Sequence, residues 1–129
     1  MVIDTSAVMA VLLDEPERPA IEAALNSRPC SISAVTLVEL LIVAEARAGV
    51  EGARIVEALL DRLAVEVLAV GASQAREAIS GWRRFGRGRH SARLNFGDCF
   101  AYASAIERGE SLLFVGNDFS QTDVESALA

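Results

Sequence analysis

Met1-Val2-Ile3-Asp4-Thr5-Ser6-Ala7-Val8-Met9-Ala10-Val11-Leu12-Leu13 opens the chain, and Asp4 is its only charged side chain. Residues 1–4 read as a short strand ending on Asp4. Residues 5–14 read as a helix with Thr5 or Ser6 at its N-cap. A carboxylate in apolar surroundings costs several kcal/mol to desolvate unless something compensates. This stretch offers Asp4 no basic partner.

The same pattern recurs three times. Glu39 is the only charged residue in 29–44, Asp98 the only one in 94–106, and Asp118 the only one in 111–122. Each acid alone has a local explanation. Thr36-Leu37-Val38-Glu39 matches a capping box, and Asn95-Phe96-Gly97-Asp98 an N-cap with an acid at the third helical position. Asp118 could cap a last short helix, and Asp4 could be a polar turn residue. Together the acids point elsewhere. Carboxylates about 5 Å apart repel by about 3 kcal/mol per pair at an effective dielectric of about 20. Protonation or a divalent cation relieves that. Oxygen donors without histidine or cysteine suit a hard cation, Mg2+ or Mn2+.

Outward from the first strand, the chain alternates. A helix is expected over 17–26, a strand over Cys30 to Ser33, and a helix over 34–48 that is apolar almost all round and ends at Gly49. Such a helix belongs in a core or at an interface. An amphipathic helix over 52–63, a strand over 65–70 and a helix over 72–85 follow. A further helix runs from about Asn95 or Gly97 to Arg108, then a strand over 111–115 and a short terminal helix. Strands alternating with helices imply α/β architecture, a mostly parallel sheet covered on both faces. Ligands bind at the carboxyl ends of such strands. Asp4 and Asp118 fall at strand ends, and Glu39 and Asp98 in first turns of helices that face the same rim. All four can therefore reach one crevice.

The 129 residues suffice for one domain with a sizeable core. No apolar run approaches the roughly 20 residues that span a bilayer. The opening residues carry no basic region, so no signal peptide is expected. Cys30 and Cys99 do not make a disulfide framework, and reduced thiols in a cytoplasm are expected. Net charge is −6, which by itself argues against nucleic acid. The distribution points the other way. All 12 basic residues are arginine, and Arg83, Arg84, Arg87, Arg89 and Arg93 fall together with His90 where no acid intervenes between Glu77 and Asp98. An acidic cation cluster beside an arginine stripe suits phosphodiester hydrolysis, since a bound cation activates water and steadies charge on phosphoryl oxygen. The arginines would grip phosphates through forked contacts. Trp82, at helical spacing with Ala78 and Ile79, reads as packing.

The segments MVIDTSA, SAVTLVEL, LNFGDCFAYA and LLFVGNDF resemble, in order and over nearly the whole chain, the PIN domain. More narrowly they resemble VapC-type toxins of bacterial toxin–antitoxin pairs. The resemblance implies one PIN domain over residues 1–129, folded as a three-layer α/β/α sandwich. It implies an Mg2+- or Mn2+-dependent ribonuclease acting on transfer or ribosomal RNA and leaving a 3′-hydroxyl and a 5′-phosphate. The family's acids match Asp4, Glu39, Asp98 and Asp118, and its small hydroxyl residue matches Thr5 or Ser6; Asn117 lies beside the fourth acid. The resemblance also implies a homodimer, silenced by a VapB-type antitoxin whose C-terminal segment inserts into the active-site groove.

Competing enzyme classes fall on residue identity. A response-regulator receiver needs a lysine, and the chain has none. A haloacid-dehalogenase phosphatase needs a second acid two residues after the first, where Ser6 stands. One other class remains: a PIN-fold module that binds RNA or a partner without cleaving.

Overall fold

The computed structural model describes residues 1–128. In chain order the elements are β1 (Val2–Ile3), α1 (Thr5–Leu12), α2 (Arg18–Ser27), β2 (Ser31–Ser33), α3 (Ala34–Arg62), β3 (Glu66–Leu68), α4 (Ala72–Phe85), α5 (Phe96–Arg108) and β4 (Leu112–Leu113). A 3-10 turn at Phe119–Gln121 follows. The strands pair in parallel in the order β3-β2-β1-β4.

Successive strand residues point to opposite faces of a sheet, and that period divides the core in two. Ile3, Ile32 and Leu113 pack with Val8 of α1, Ile21 of α2 and Leu40 of α3. Val2 and Leu112 pack on the other side with Tyr102 and Ala103 of α5 and Ala78 of α4. The result is the expected three-layer α/β/α arrangement.

The two helices expected over 34–48 and 52–63 are joined as α3, interrupted at Gly49, where φ is 71°. The apolar residues of its first half do not all enter the core. Leu40 and Ala44 are buried, but Val38 is 57% exposed and Ile42 62%. The strands are shorter than expected. Beyond Leu113, the Val115 amide donates to the Ser6 hydroxyl at 3.0 Å, so a side chain takes over from strand pairing. The capping box expected at Thr36–Glu39 does not form. Ser33 occupies the N-cap of α3, and Thr36 lies buried within the helix, its hydroxyl without a partner. Among the described residues, no helix is long and apolar enough to cross a membrane.

Sheet order places the site. From β1 the chain steps outward to β2 and β3, then returns to pair β4 on the other side of β1. Where the direction of winding reverses, the loops leaving neighbouring strands diverge and open a crevice at their carboxyl ends. Asp4 directly follows β1 at that crevice.

Candidate active site

Asp4, rather than Thr5 or Ser6, is the N-cap of α1. Its backbone is extended (φ −93°, ψ 156°), and its Oδ2 accepts from the Ser6 amide at 3.0 Å and the Ser6 hydroxyl at 2.6 Å. A carboxylate at this position also meets the positive end of the helix dipole, which favours it over a hydroxyl. Asp4 is only 4% exposed, and its Oδ1 is buried with no hydrogen-bond partner. Burial pushes its proton affinity up to about 6, against the two Ser6 hydrogen bonds that pull it down; the Glu39 charge adds to the rise. Ser6 does two jobs, since the hydroxyl that donates to Asp4 also accepts from Val115 just past β4.

Glu39 is free of the cap its sequence suggested and turns to α1. The Thr5 hydroxyl donates to its Oε1 at 2.6 Å. Its other oxygen lies against Gly97 in the first turn of α5, where a Cβ would collide with the carboxylate. Glycine in a helix costs up to about 1 kcal/mol against alanine. Here it admits the acid of α3 to the start of α5. The only signal for this in the sequence was a glycine beside an isolated acid.

Asp98 keeps the cap its sequence suggested. The Asp98 amide donates to Asn95 Oδ1 at 2.8 Å, and the Asn95 amide donates to Asp98 Oδ2 at 3.0 Å. The cap thus occupies one carboxylate oxygen of Asp98. Burial pushes Asp98 up to about 7, opposed by the Asn95 amide and reinforced by the charges of Asp4, Glu39 and Asp118. All four acids therefore share one field. Asp118 is exposed and stands at the N-cap of the 3-10 turn without making a cap hydrogen bond, and neighbouring Asn117 is exposed too.

Among the described residues, no three His, Cys, Asp or Glu side chains converge closely enough to enclose a metal ion. The donor set still fits a hard cation. Magnesium keeps several waters and takes only one or two carboxylates, so threefold closure is not required of it. The buried, unpartnered Oδ1 of Asp4 is an oxygen that lacks a counter-charge, in a crevice whose acids raise one another's proton affinity.

Arg83, Arg84, Arg87, Arg89 and Arg93 are all exposed, at the end of α4 and in the loop before α5. The loop is braced by backbone hydrogen bonds from Arg89 and His90 to Gly86 and by pairing of Gly86 with Leu94. The Arg89 guanidinium stacks on Trp82 at 4.4 Å. Arg84 is engaged, bonded to Asp123 at 3.2 Å. The other four have no carboxylate within ion-pair distance among the described residues. His90 is used internally: its Nδ1 accepts from the Ala92 amide and its ring packs edge-on against Phe85.

The PIN domain family model matches residues 1–125. A curated relative, Ribonuclease VapC of Mycolicibacterium smegmatis, is 46% identical over 125 residues, covering 96% of this chain and 97% of that protein. Ribonuclease VapC42 of Mycobacterium tuberculosis is 43% identical over 129 residues, covering 98% of each. Among solved structures, Mycobacterium tuberculosis VapC20, described as a sarcin-ricin loop cleaving toxin, superposes with a TM-score of 0.77 at 22% identity over 95% of each chain. A DNA-bound VapBC of Salmonella typhimurium gives 0.70 at 24% identity, covering 97% of this chain and 93% of that one. With its acids gathered at the switch point of a parallel α/β/α sheet, this chain belongs to the PIN-domain family, alongside the VapC ribonucleases.

Proposed function

We propose that this protein is a divalent-cation-dependent endoribonuclease, the toxin of a toxin–antitoxin pair, which cuts a structured RNA in the cytoplasm. The observation that carries this is Asp4: buried beside Glu39, held from one side by Ser6, and left with an oxygen that nothing among the described residues satisfies. Asp4, Glu39 and Asp98 would hold Mg2+ or Mn2+, directly or through water, with Asp118 completing the set. The cation supplies Lewis acidity and an activated water.

The chain's own groups do the rest. Ser6 holds Oδ2 of Asp4 and Thr5 holds Oε1 of Glu39, so that the other oxygen of each would be free to take the cation. A carboxylate of the crevice takes the proton of the attacking water. A bond forms from water oxygen to phosphorus and the P–O3′ bond breaks, its electron pair leaving with O3′, which takes a proton from solvent water, to give a 3′-hydroxyl and a 5′-phosphate. Arg83, Arg87, Arg89 and Arg93 hold phosphates on either side of the cut, whereas Arg84, expected from the sequence to join them, is paired with Asp123.

Two apolar surfaces support partners. A VapB-type antitoxin would insert its C-terminal segment into the groove over the four acids, and a separate apolar groove lined by Val8, Val11, Leu12, Ile55 and Leu59, with Arg18 at its edge, would take another part of the same partner. Among the structurally similar proteins are DNA-bound VapBC of Salmonella typhimurium and VapBC2 of Rickettsia felis, which supports a VapB-type partner. A second groove between α4 and α5, bordered by Ile79, Trp82, Phe100 and the 75% exposed Phe96, suits a second copy of the chain in a homodimer.

The test is RNA cleavage by the purified protein with Mg2+ or Mn2+ and with chelator. Wild type should cleave only with the cation, and Asp4→Asn should lower the rate at least about 100-fold. Cleavage undiminished by Asp4→Asn would overturn the proposal. One observation favours a second reading, a non-cleaving RNA- or partner-binding module: among the described residues, the carboxylates as they stand do not enclose an ion. That reading predicts salt-dependent RNA binding with no cation-dependent cleavage.

A further inference from the structure

Asp118 makes no hydrogen bond with its own side chain at the N-cap of the 3-10 turn, so its place at the crevice is inherited from the segment around it. That segment is anchored by Phe119, buried with its ring 5.3 Å from Phe114, and by a cluster at Asp123, four residues further on. There the Tyr102 hydroxyl donates to Asp123 Oδ1 at 2.9 Å. Arg84 Nη1 donates to Asp123 Oδ2 at 3.2 Å and to the Tyr102 hydroxyl at 3.3 Å. Tyr102 is itself buried, and α4 makes room for its ring at Gly81, where a Cβ would strike the ring edge. A second tie runs from the Ser91 hydroxyl to Gln121 at 2.5 Å, joining the arginine loop to the same segment.

We propose that Tyr102, with Asp123 and Arg84, is a positioning residue that holds the 116–123 segment against α5 and so sets where the Asp118 carboxylate stands in the crevice. Tyr102 lies four residues, one helical turn, beyond Asp98 on α5. The clasp therefore ties the fourth acid to the very helix that carries the third. It also gives Arg84 a task different from that of its four unpaired neighbours: it neutralises Asp123, so that the clasp adds no net charge to the crevice. The inference rests on the nuclease reading above.

The experiment is a double-mutant cycle on the full chain. Tyr102→Phe keeps the ring and deletes one hydroxyl, so the packing against Gly81 and Phe85 survives. Mn2+ affinity is read by calorimetry and, separately, as the Mn2+ concentration that half-saturates RNA cleavage. Loss of an outer support of a metal ligand typically weakens the metal about 10-fold, and that is the expected effect of Tyr102→Phe. In an Asp118→Ala background the same substitution should change Mn2+ affinity by less than about 2-fold, because the residue it acts through is gone. Asp123→Asn, which keeps an acceptor for Tyr102 but loses the Arg84 charge pair, should fall between wild type and Tyr102→Phe. An unchanged Mn2+ affinity in Tyr102→Phe, or an equal loss with and without Asp118, overturns the inference while leaving the nuclease reading standing. A wild type inert towards both Mn2+ and RNA overturns both.

Discussion

The crevice and the arginine loop carry opposite charge and solve opposite problems. In the crevice, Asp4 and Asp98 sit on element starts whose backbone leaves them little freedom, and burial pushes them up to about 6 and about 7. In and beside the loop, four arginines stand exposed with no carboxylate partner among the described residues, and exposed charge of that kind costs the fold little. One region stores electrostatic strain in a rigid frame; the other keeps solvated charge available. The difference teaches where function opposes stability in this molecule. Removing charge from the crevice should stabilise the fold, whereas removing it from the loop should leave stability where it was.

The sharpest way to break the comparison is Asp4→Asn. Asparagine caps a helix as well as aspartate does and carries no charge to desolvate. The metal-free variant at pH 7.5 should gain on the order of 2–3 kcal/mol, from the rise of Asp4 to about 6, and melt roughly 5–10 °C higher than wild type. It should also lose the thermal stabilisation that Mn2+ gives wild type. A variant that melts lower than wild type would mean that Asp4 serves the fold.

pH offers the next test. Asp4 and Asp98 bind protons more tightly folded than unfolded, from 3.8 to about 6 and about 7. Their contribution is therefore fully present below about pH 4 and is lost as pH rises through 6 to 7. Metal-free protein should melt several degrees lower at pH 7.5 than at pH 5, and saturating Mn2+ should shrink that gap. A melting temperature that rises over this interval would contradict the strained crevice.

Salt tests the loop. If three to five phosphates are engaged, log K for RNA binding should fall against log salt with a slope of about −2 to −3.5. Replacing Arg83, Arg87 and Arg89 together by alanine should make the slope less steep by about 2 and leave the melting temperature within about 2 °C. An unchanged slope would move the RNA elsewhere. The smallest effect belongs to Thr5→Val, which removes the hydroxyl that donates to Glu39 at 2.6 Å. Cleavage should fall about 3- to 10-fold with little change in RNA affinity.

Much of this was legible along the chain because its signals are local. Alternating apolar strands and amphipathic helices announced the layers, Gly49 announced the interruption of α3, and Asn95 with Asp98 announced a cap that forms as expected. What misled was also local. Thr36-Leu37-Val38-Glu39 has the letters of a capping box, but Ser33 starts the helix one turn earlier and frees Glu39 to meet Thr5 and Gly97. Asp4 displaced the hydroxyls expected at the N-cap of α1 because its carboxylate answers two donors of Ser6. Nothing in the spacing of Arg84, Tyr102 and Asp123 announced that they meet, since the first two lie on different helices and the third in a bend after the 3-10 turn.

The isolation of four acids in neutral surroundings and the crowding of arginines into one loop are properties of order along the chain, because solvation cost and charge density depend first on immediate neighbours. Which oxygens remain unsatisfied and which arginine is spent on an acid were decided only when strands from opposite ends of the chain paired side by side. Hydrogen bonds act over about 3 Å, and residues a hundred positions apart reach that distance only through the fold.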